Sequence, residues 1–207
     1  MSLAARSVVH HIDAEEQREW VAEVRRVLRH APLVQPHTPR GLPMRVRVSS
    51  AGDLGWRGGA DGGYFYSSTQ RPFLLWGEGS GNRWPPIPGR WVELANLVAG
   101  EHPWDCAGIN WYEPGAGLGW HQDQAEADCS LPIVTVSLGD ACSWAMRLDE
   151  HSPVSRVRLE SGDVTLLAGS TRPALHTVER IIAAPLFSPL AARGRVSVTL
   201  RVAGGSR

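Results

Sequence analysis

From Cys106 to its C-terminal end the sequence is a succession of short apolar runs divided by turns, and this pattern limits the fold more than anything else in the chain. The runs CAGINWY, LPIVTVSLG, SWAMRLD, SRVRLE, DVTLLAG, LHTVERII and RVSVTLRV are each of strand length. Pro-Gly, Gly-Asp and Ser-Pro dipeptides punctuate them. Some seven closely spaced strands predict a β-sandwich or jelly roll over residues 105–203. Upstream, Asp13 followed by Glu16 reads as a capping box, and Trp20, Val24, Val27 and Leu28 then fall on one face of a helix reaching about His30. Pro88 opens a second helix, with Trp91, Leu94, Ala95 and Val98 on one side. At 207 residues the chain is expected to form one domain, mainly β with flanking helices.

Residues 40–90 differ from this pattern. They are dense in Gly and Pro, yet hold seven of the fifteen aromatic residues, which argues against a disordered linker. Short strands and ordered loops forming a cover, or lid, are expected there. The overall charge is zero, so no global attraction to a polyanion exists. The lid nevertheless carries seven Arg against three acidic residues, a balance of +4, while residues 91–207 balance at −4. The lid is therefore the natural place for a phosphate-rich ligand. Phe73, Trp76 and Trp84 within it are expected to pack as minor core.

His121 and Asp123 follow the turn PGAGLGW, and residues i and i+2 of an extended segment point to the same side. His176, at the start of another strand-like run, is placed to supply a third ligand. Two imidazoles and one carboxylate make the facial triad of non-haem iron(II) oxygenases, with open positions for a chelating 2-oxo acid and dioxygen. Arg195 and Arg201 lie six apart in a strand that otherwise reads as core, so they too share a face. Two buried guanidinium groups need anionic partners, and 2-oxoglutarate has a carboxylate at each end. The alternative is structural ion pairing with Asp163 or Glu160.

The blocks NWYEPGAGLGWHQD, LPIVTVSLGD, LESGDVTLLAGSTRPALH and RVSVTLR, in this order, resemble those of the AlkB family of nucleic-acid dealkylating dioxygenases. The resemblance runs from about Leu54 to Ala203. It implies a double-stranded β-helix core under a nucleotide-recognition lid, with Fe(II), 2-oxoglutarate and O2 as cofactor and cosubstrates. It also implies oxidative demethylation of DNA or RNA bases, releasing formaldehyde, succinate and CO2. By motif position His121, Asp123 and His176 correspond to the iron ligands. Arg195 corresponds to the arginine on the distal carboxylate of 2-oxoglutarate, Arg201 to the one near its other end, and Asn110 and Tyr112 to further contacts. Trp56, Tyr64 and Tyr66 sit where family members stack on or brace the target nucleotide, and Arg156 matches a position approaching the substrate. Arg172 matches a family arginine and reads as a structural ion-pair former near the metal strand.

Two departures bear on substrate choice and cosubstrate binding. Ala125 stands where many members carry an acid that contacts the base, with Glu126 beside it, and Ser197 stands where Asn is common. A hydroxylase of a small molecule or a protein side chain is the alternative reading of the same triad. No apolar run is long enough to cross a bilayer, and the N-terminus lacks a signal-like apolar core. Cys106, Cys129 and Cys142 are odd in number and lack CxxC spacing, which suits a reducing compartment. A cytoplasmic monomer acting on alkylated single strands, with duplex left open, is therefore expected.

Overall fold

The computed structural model describes residues 2–38, 40–58, 63–70, 82–183 and 188–204. In chain order its elements are α1 (Leu3–Arg6), β1 (Val8–His11), α2 (Ala14–His30), β2 (Val46–Gly52), β3 (Gly55–Gly58), β4 (Tyr64–Ser67), α3 (Gly89–Ala99), β5 (Cys106–Tyr112), β6 (Leu118–His121), β7 (Ile133–Gly139), β8 (Ala141–Arg147), β9 (Ser155–Leu159), β10 (Asp163–Leu167), β11 (Leu175–Ile182) and β12 (Arg195–Arg201). The strands form a major sheet ordered β1-β10-β7-β12-β5-β2, a minor sheet ordered β6-β11-β8-β9, and the separate hairpin β3-β4. All pairings are antiparallel, giving the expected jelly roll.

The predicted helices form for the reasons read from the sequence. The Asp13 carboxylate accepts from the amides of Glu15 and Glu16, and Glu16 accepts in return from the Asp13 amide. Pro88 is the N-cap of α3. Both helices cover the outer face of the major sheet. Trp20, Val24 and Val27 of α2 and Trp91, Leu94 and Ala95 of α3 share one core with Ile109, Val134, Val136, Leu138, Val196, Val198 and Leu200. Trp20 and Trp91 stack with centroids 5.3 Å apart. Each large apolar side chain so buried contributes roughly 1.5–3 kcal/mol before the entropy of ordering is subtracted.

Alternation then sends the other residues of the same strands toward the minor sheet. Tyr112 lies opposite Arg195, Asn110 opposite Ser197 and Gly108 opposite Thr199. Across the next ladder Ser197 faces Ser137, and Thr199 faces Thr135. This inner face is thus a band of polar side chains in the middle of a β-sandwich. A second apolar cluster, including Ile133, Cys142, Trp144, Met146, Leu159 and Leu167, fills part of the space between the sheets.

One element differs from expectation. β2 lies in the segment read as cover, yet it pairs with β5 along its full length and closes one edge of the major sheet. Its VRVSSAG sequence is too polar to announce a core strand. Its serines are buried because they find partners: Ser49 Oγ donates to the Ala31 carbonyl at 2.6 Å, and Ser50 Oγ accepts from the Trp56 amide at 3.2 Å. Beyond β2 the chain turns into the β3–β4 hairpin. Trp84 is buried against it as expected, its Nε1 donating to the Ser67 carbonyl at 2.8 Å. A Cβ on Gly55 would fall 2.2 Å from the Trp84 ring, so only glycine admits that contact. Phe73 and Trp76 lie outside the described residues.

Candidate active site

The minor sheet brings the two distant histidines together. β6 pairs with β11 so that His121 and His176 are direct cross-strand partners, with ring centroids 4.2 Å apart. Asp123 lies just past the end of β6, and its Oδ2 is 3.9 Å from His176 Nε2. The candidate ligand atoms of the three residues all lie within 4.8 Å of one another. Each imidazole is already oriented: Nδ1 of His121 is 2.8 Å from the Gly119 carbonyl, and Nδ1 of His176 is 3.1 Å from the Ala174 carbonyl. A carbonyl only accepts, so both Nδ1 atoms carry the proton and both Nε2 lone pairs remain for a metal.

The electrostatics agree with metal ligation. Burial, and then the neighbouring His121, push the His176 pKa down to about 4, which keeps the ring neutral near pH 7. For Asp123, burial acts to raise the pKa. Arg201, His176 and His121 more than offset this and hold the carboxyl well below the usual range. Arg201 Nη1 is 3.5 Å from Asp123 Oδ1.

Arg195 is 2% exposed, although it is a cation. Its Nη2 donates to Ser137 Oγ at 2.6 Å and its Nη1 reaches the Asp140 carbonyl at 3.5 Å. Its Nε is buried with no acceptor, and no carboxylate among the described residues forms an ion pair with it. The alternative of an ion pair with Asp163 or Glu160 is not what Arg195 forms: Asp163 meets His11 at 2.9 Å and Glu160 meets Arg158. A buried guanidinium with neutral partners and an unused donor fits an incoming carboxylate. Tyr112 faces the same cavity. Burial pushes its hydroxyl up to about 12, so it stays a donor, and it contacts Ser197 and Asn110.

Arg201 behaves differently from Arg195. Its Nη1 donates to Glu126 Oε1 at 2.6 Å and to the Tyr66 hydroxyl at 3.0 Å. Glu126 is the residue that reading the sequence missed. It is 6% exposed, and its Oε1 also accepts from Tyr66 at 2.7 Å while its Oε2 accepts from Arg172 at 3.2 Å. Arg172 further donates to the backbone carbonyls of Leu131 and Asp123, at 2.6 and 2.8 Å, which is the structural role expected of it. The available signal was the surplus of apparently buried arginines lacking an assigned acid. Glu126→Ala would leave Arg172 buried with no carboxylate partner and Arg201 with Asp123 alone. Denaturant titration is expected to show a loss of about 3–5 kcal/mol, the usual effect of breaking a buried pair.

A cavity of about 680 Å³ joins these groups. Its walls include His121, Asp123, His176, Asn110, Tyr112, Arg195 and Arg201, and on another side Trp56, Tyr64 and Tyr66. Trp56 and Tyr64 stack at 5.1 Å. Ala125 lines the cavity between Gln124 and Glu126, so the wall has a methyl group there.

Arg156 is not among these walls, and the expectation for it is corrected. On β9 it alternates with Leu159 and Val157, which turn inward, so it points away from the cavity and is exposed. Its Nε donates to Glu179 at 3.0 Å on the outer face of the minor sheet.

Two imidazoles that present Nε2, an ionised carboxylate and a buried guanidinium with no carboxylate partner define the class as iron(II)- and 2-oxoglutarate-dependent. In agreement, residues 5–201 match the family described as the 2OG-Fe(II) oxygenase superfamily, so the protein is a dioxygenase using Fe(II), 2-oxoglutarate and O2. Over 193 residues the chain is 35% identical to an alpha-ketoglutarate-dependent dioxygenase AlkB homolog of Caulobacter vibrioides, covering 92% of this chain and 83% of that protein. Over 196 residues it is 32% identical to the alpha-ketoglutarate-dependent dioxygenase AlkB of Escherichia coli, covering 90% and 84%. The chain belongs to the AlkB family. The solved structure of OsALKBH1 superposes with a TM-score of 0.76 over 94% of each chain at 22% identity, which establishes the shared jelly-roll fold.

Proposed function

We propose that this dioxygenase removes alkyl groups oxidatively from nucleobases of DNA or RNA. His121, Asp123 and His176 hold the iron, with Asp123 also the catalytic carboxylate. Arg195 takes the distal carboxylate of 2-oxoglutarate, and Asn110, Tyr112 and Arg201 surround the rest of it. Trp56, Tyr64 and Tyr66 receive the base, within a lid drawn from residues 40–90 over the core of 105–203. The observation that carries this reading is one cavity shared by the triad, an unpaired buried arginine and a stacked aromatic hairpin. Its volume suits a small diacid together with a base extruded from its stack.

When bound, iron(II) couples decarboxylation of 2-oxoglutarate by dioxygen to hydroxylation of an N-linked alkyl carbon, after which a methyl group leaves as formaldehyde. The protein's own groups prepare that event. The Gly119 and Ala174 carbonyls fix the tautomers of the two imidazoles. Arg201 keeps Asp123 ionised. Tyr66, held through its hydroxyl by Glu126, presents a braced ring to the cavity, and Trp56 with Tyr64 offers a face on which a base can stack.

No helix among the described residues is long and apolar enough to cross a membrane, and all three cysteines are free. Free thiols suit a reducing compartment, so the enzyme is proposed as cytoplasmic, and with that go the proposals of a monomer and of alkylated single-stranded nucleic acid as its substrate. The test is mass spectrometry of methylated and etheno-adducted oligonucleotides after incubation with iron(II), ascorbate and 2-oxoglutarate. Loss of the adduct is expected. Succinate release with every oligonucleotide unchanged would instead point to a small-molecule or protein hydroxylase.

A further inference from the structure

The β3–β4 hairpin has two faces, and the proposed function uses only one. Pairing sets Trp56 opposite Tyr66 and Gly58 opposite Tyr64, and these aromatics face the cavity. Strand alternation places Arg57 and Phe65, themselves direct cross-strand partners, on the reverse face. Neither of these two lines the cavity. Phe65 is 45% exposed, a large apolar ring left in water on a four-residue strand.

Arg57 is unusual among the described arginines of the lid. Arg47 pairs with Glu113 and Arg90 with Glu19. Arg40, Arg45 and Arg83 are exposed and solvated. Arg57 is half-buried, yet no described residue accepts a hydrogen bond from it or forms an ion pair with it, and burial alone pulls its pKa down. A partly desolvated cation without an acceptor is poised for an external anion. An adjacent exposed ring gives that anion's molecule a surface on which to stack.

We propose that the reverse face of the hairpin is a second nucleotide site, Arg57 binding a phosphodiester and Phe65 stacking a base of the substrate strand outside the cavity. This rests on the nucleic-acid reading above and extends it: the hairpin grips the extruded nucleotide on one face and a neighbour on the other. The net positive charge of residues 40–90 and continuity with the aromatic face favour a nucleic acid over an uncharged or cationic partner.

The test is fluorescence anisotropy of a labelled, methylated single-stranded oligonucleotide. It uses the full chain loaded with iron(II) and 2-oxoglutarate without oxygen, between about 50 and 200 mM salt. Arg57→Gln is expected to weaken binding about fivefold at the low-salt end and to reduce the slope of log Kd against log salt by about 0.7, the signature of one lost phosphate contact on a single strand. Arg57→Lys should restore the slope. Phe65→Ser should weaken binding by about tenfold with the slope unchanged. Succinate release in the absence of nucleic acid should be the same for all variants. An Arg57→Gln protein with the parental slope, while the parent dealkylates the oligonucleotide, overturns this site and leaves the proposed function standing. A parent that neither binds nor dealkylates overturns both.

Discussion

His176→Ala is expected to lower 2-oxoglutarate-dependent succinate release by at least about a hundredfold while the protein stays folded. Perturbing only the groups that orient a metal-bound imidazole already changes affinity by roughly 10–100-fold, so deleting the ligand should exceed that range. The ring is buried between His121 and Trp144, and its loss leaves a small void beside a site that already opens to a cavity. Asp123→Asn separates chemistry from shape. It retains the volume and removes the charge that Arg201 chiefly holds in place. Succinate formation by either variant at near the parental rate, with circular dichroism confirming a native fold, would overturn the triad.

Arg195→Met is expected to raise the 2-oxoglutarate requirement by about a hundredfold or more, with little loss of stability in the cosubstrate-free protein. Truncating one side of a buried charge pair typically costs about 3–5 kcal/mol, which corresponds to factors of about a hundred to several thousand in affinity. The sign of the stability effect is the more discriminating result. Without an acid bound, Arg195 is a buried cation held only by a hydroxyl and a carbonyl, with Nε unsatisfied. A methionine of similar length removes that burden. Thermal melts should therefore show an unchanged or higher midpoint for the free variant and almost no further rise on adding 2-oxoglutarate. A free variant that melts far below the parent would assign Arg195 to the scaffold instead.

The core strands were legible because their residues obey a simple period. LPIVTVSLG and RVSVTLRV alternate apolar with small polar side chains, and the two faces separate into helix-covered core and cavity lining. The same period correctly joined Arg195 to Arg201, and it would have excluded Arg156 had SRVRL been read with Leu159 as the inward mark. β2 was opaque because the burial of Ser49 and Ser50 depends on acceptors and donors contributed by other segments. Glu126 was opaque for a related reason. Its partners Arg172, Tyr66 and Arg201 lie 46, 60 and 75 positions away in sequence, so no local pattern could show that an acid beside Ala125 would be consumed internally.

That internal consumption has a thermodynamic corollary. One carboxylate ties the hairpin, through Tyr66, to the guanidinium that also faces Asp123. Any ligand that displaces the hairpin must redistribute hydrogen bonds within this cluster and so change the field at Asp123. Linkage makes the relation mutual: by whatever factor occupancy of the iron site changes the hairpin's affinity for a nucleotide, a nucleotide on the hairpin changes the affinity for iron by the same factor.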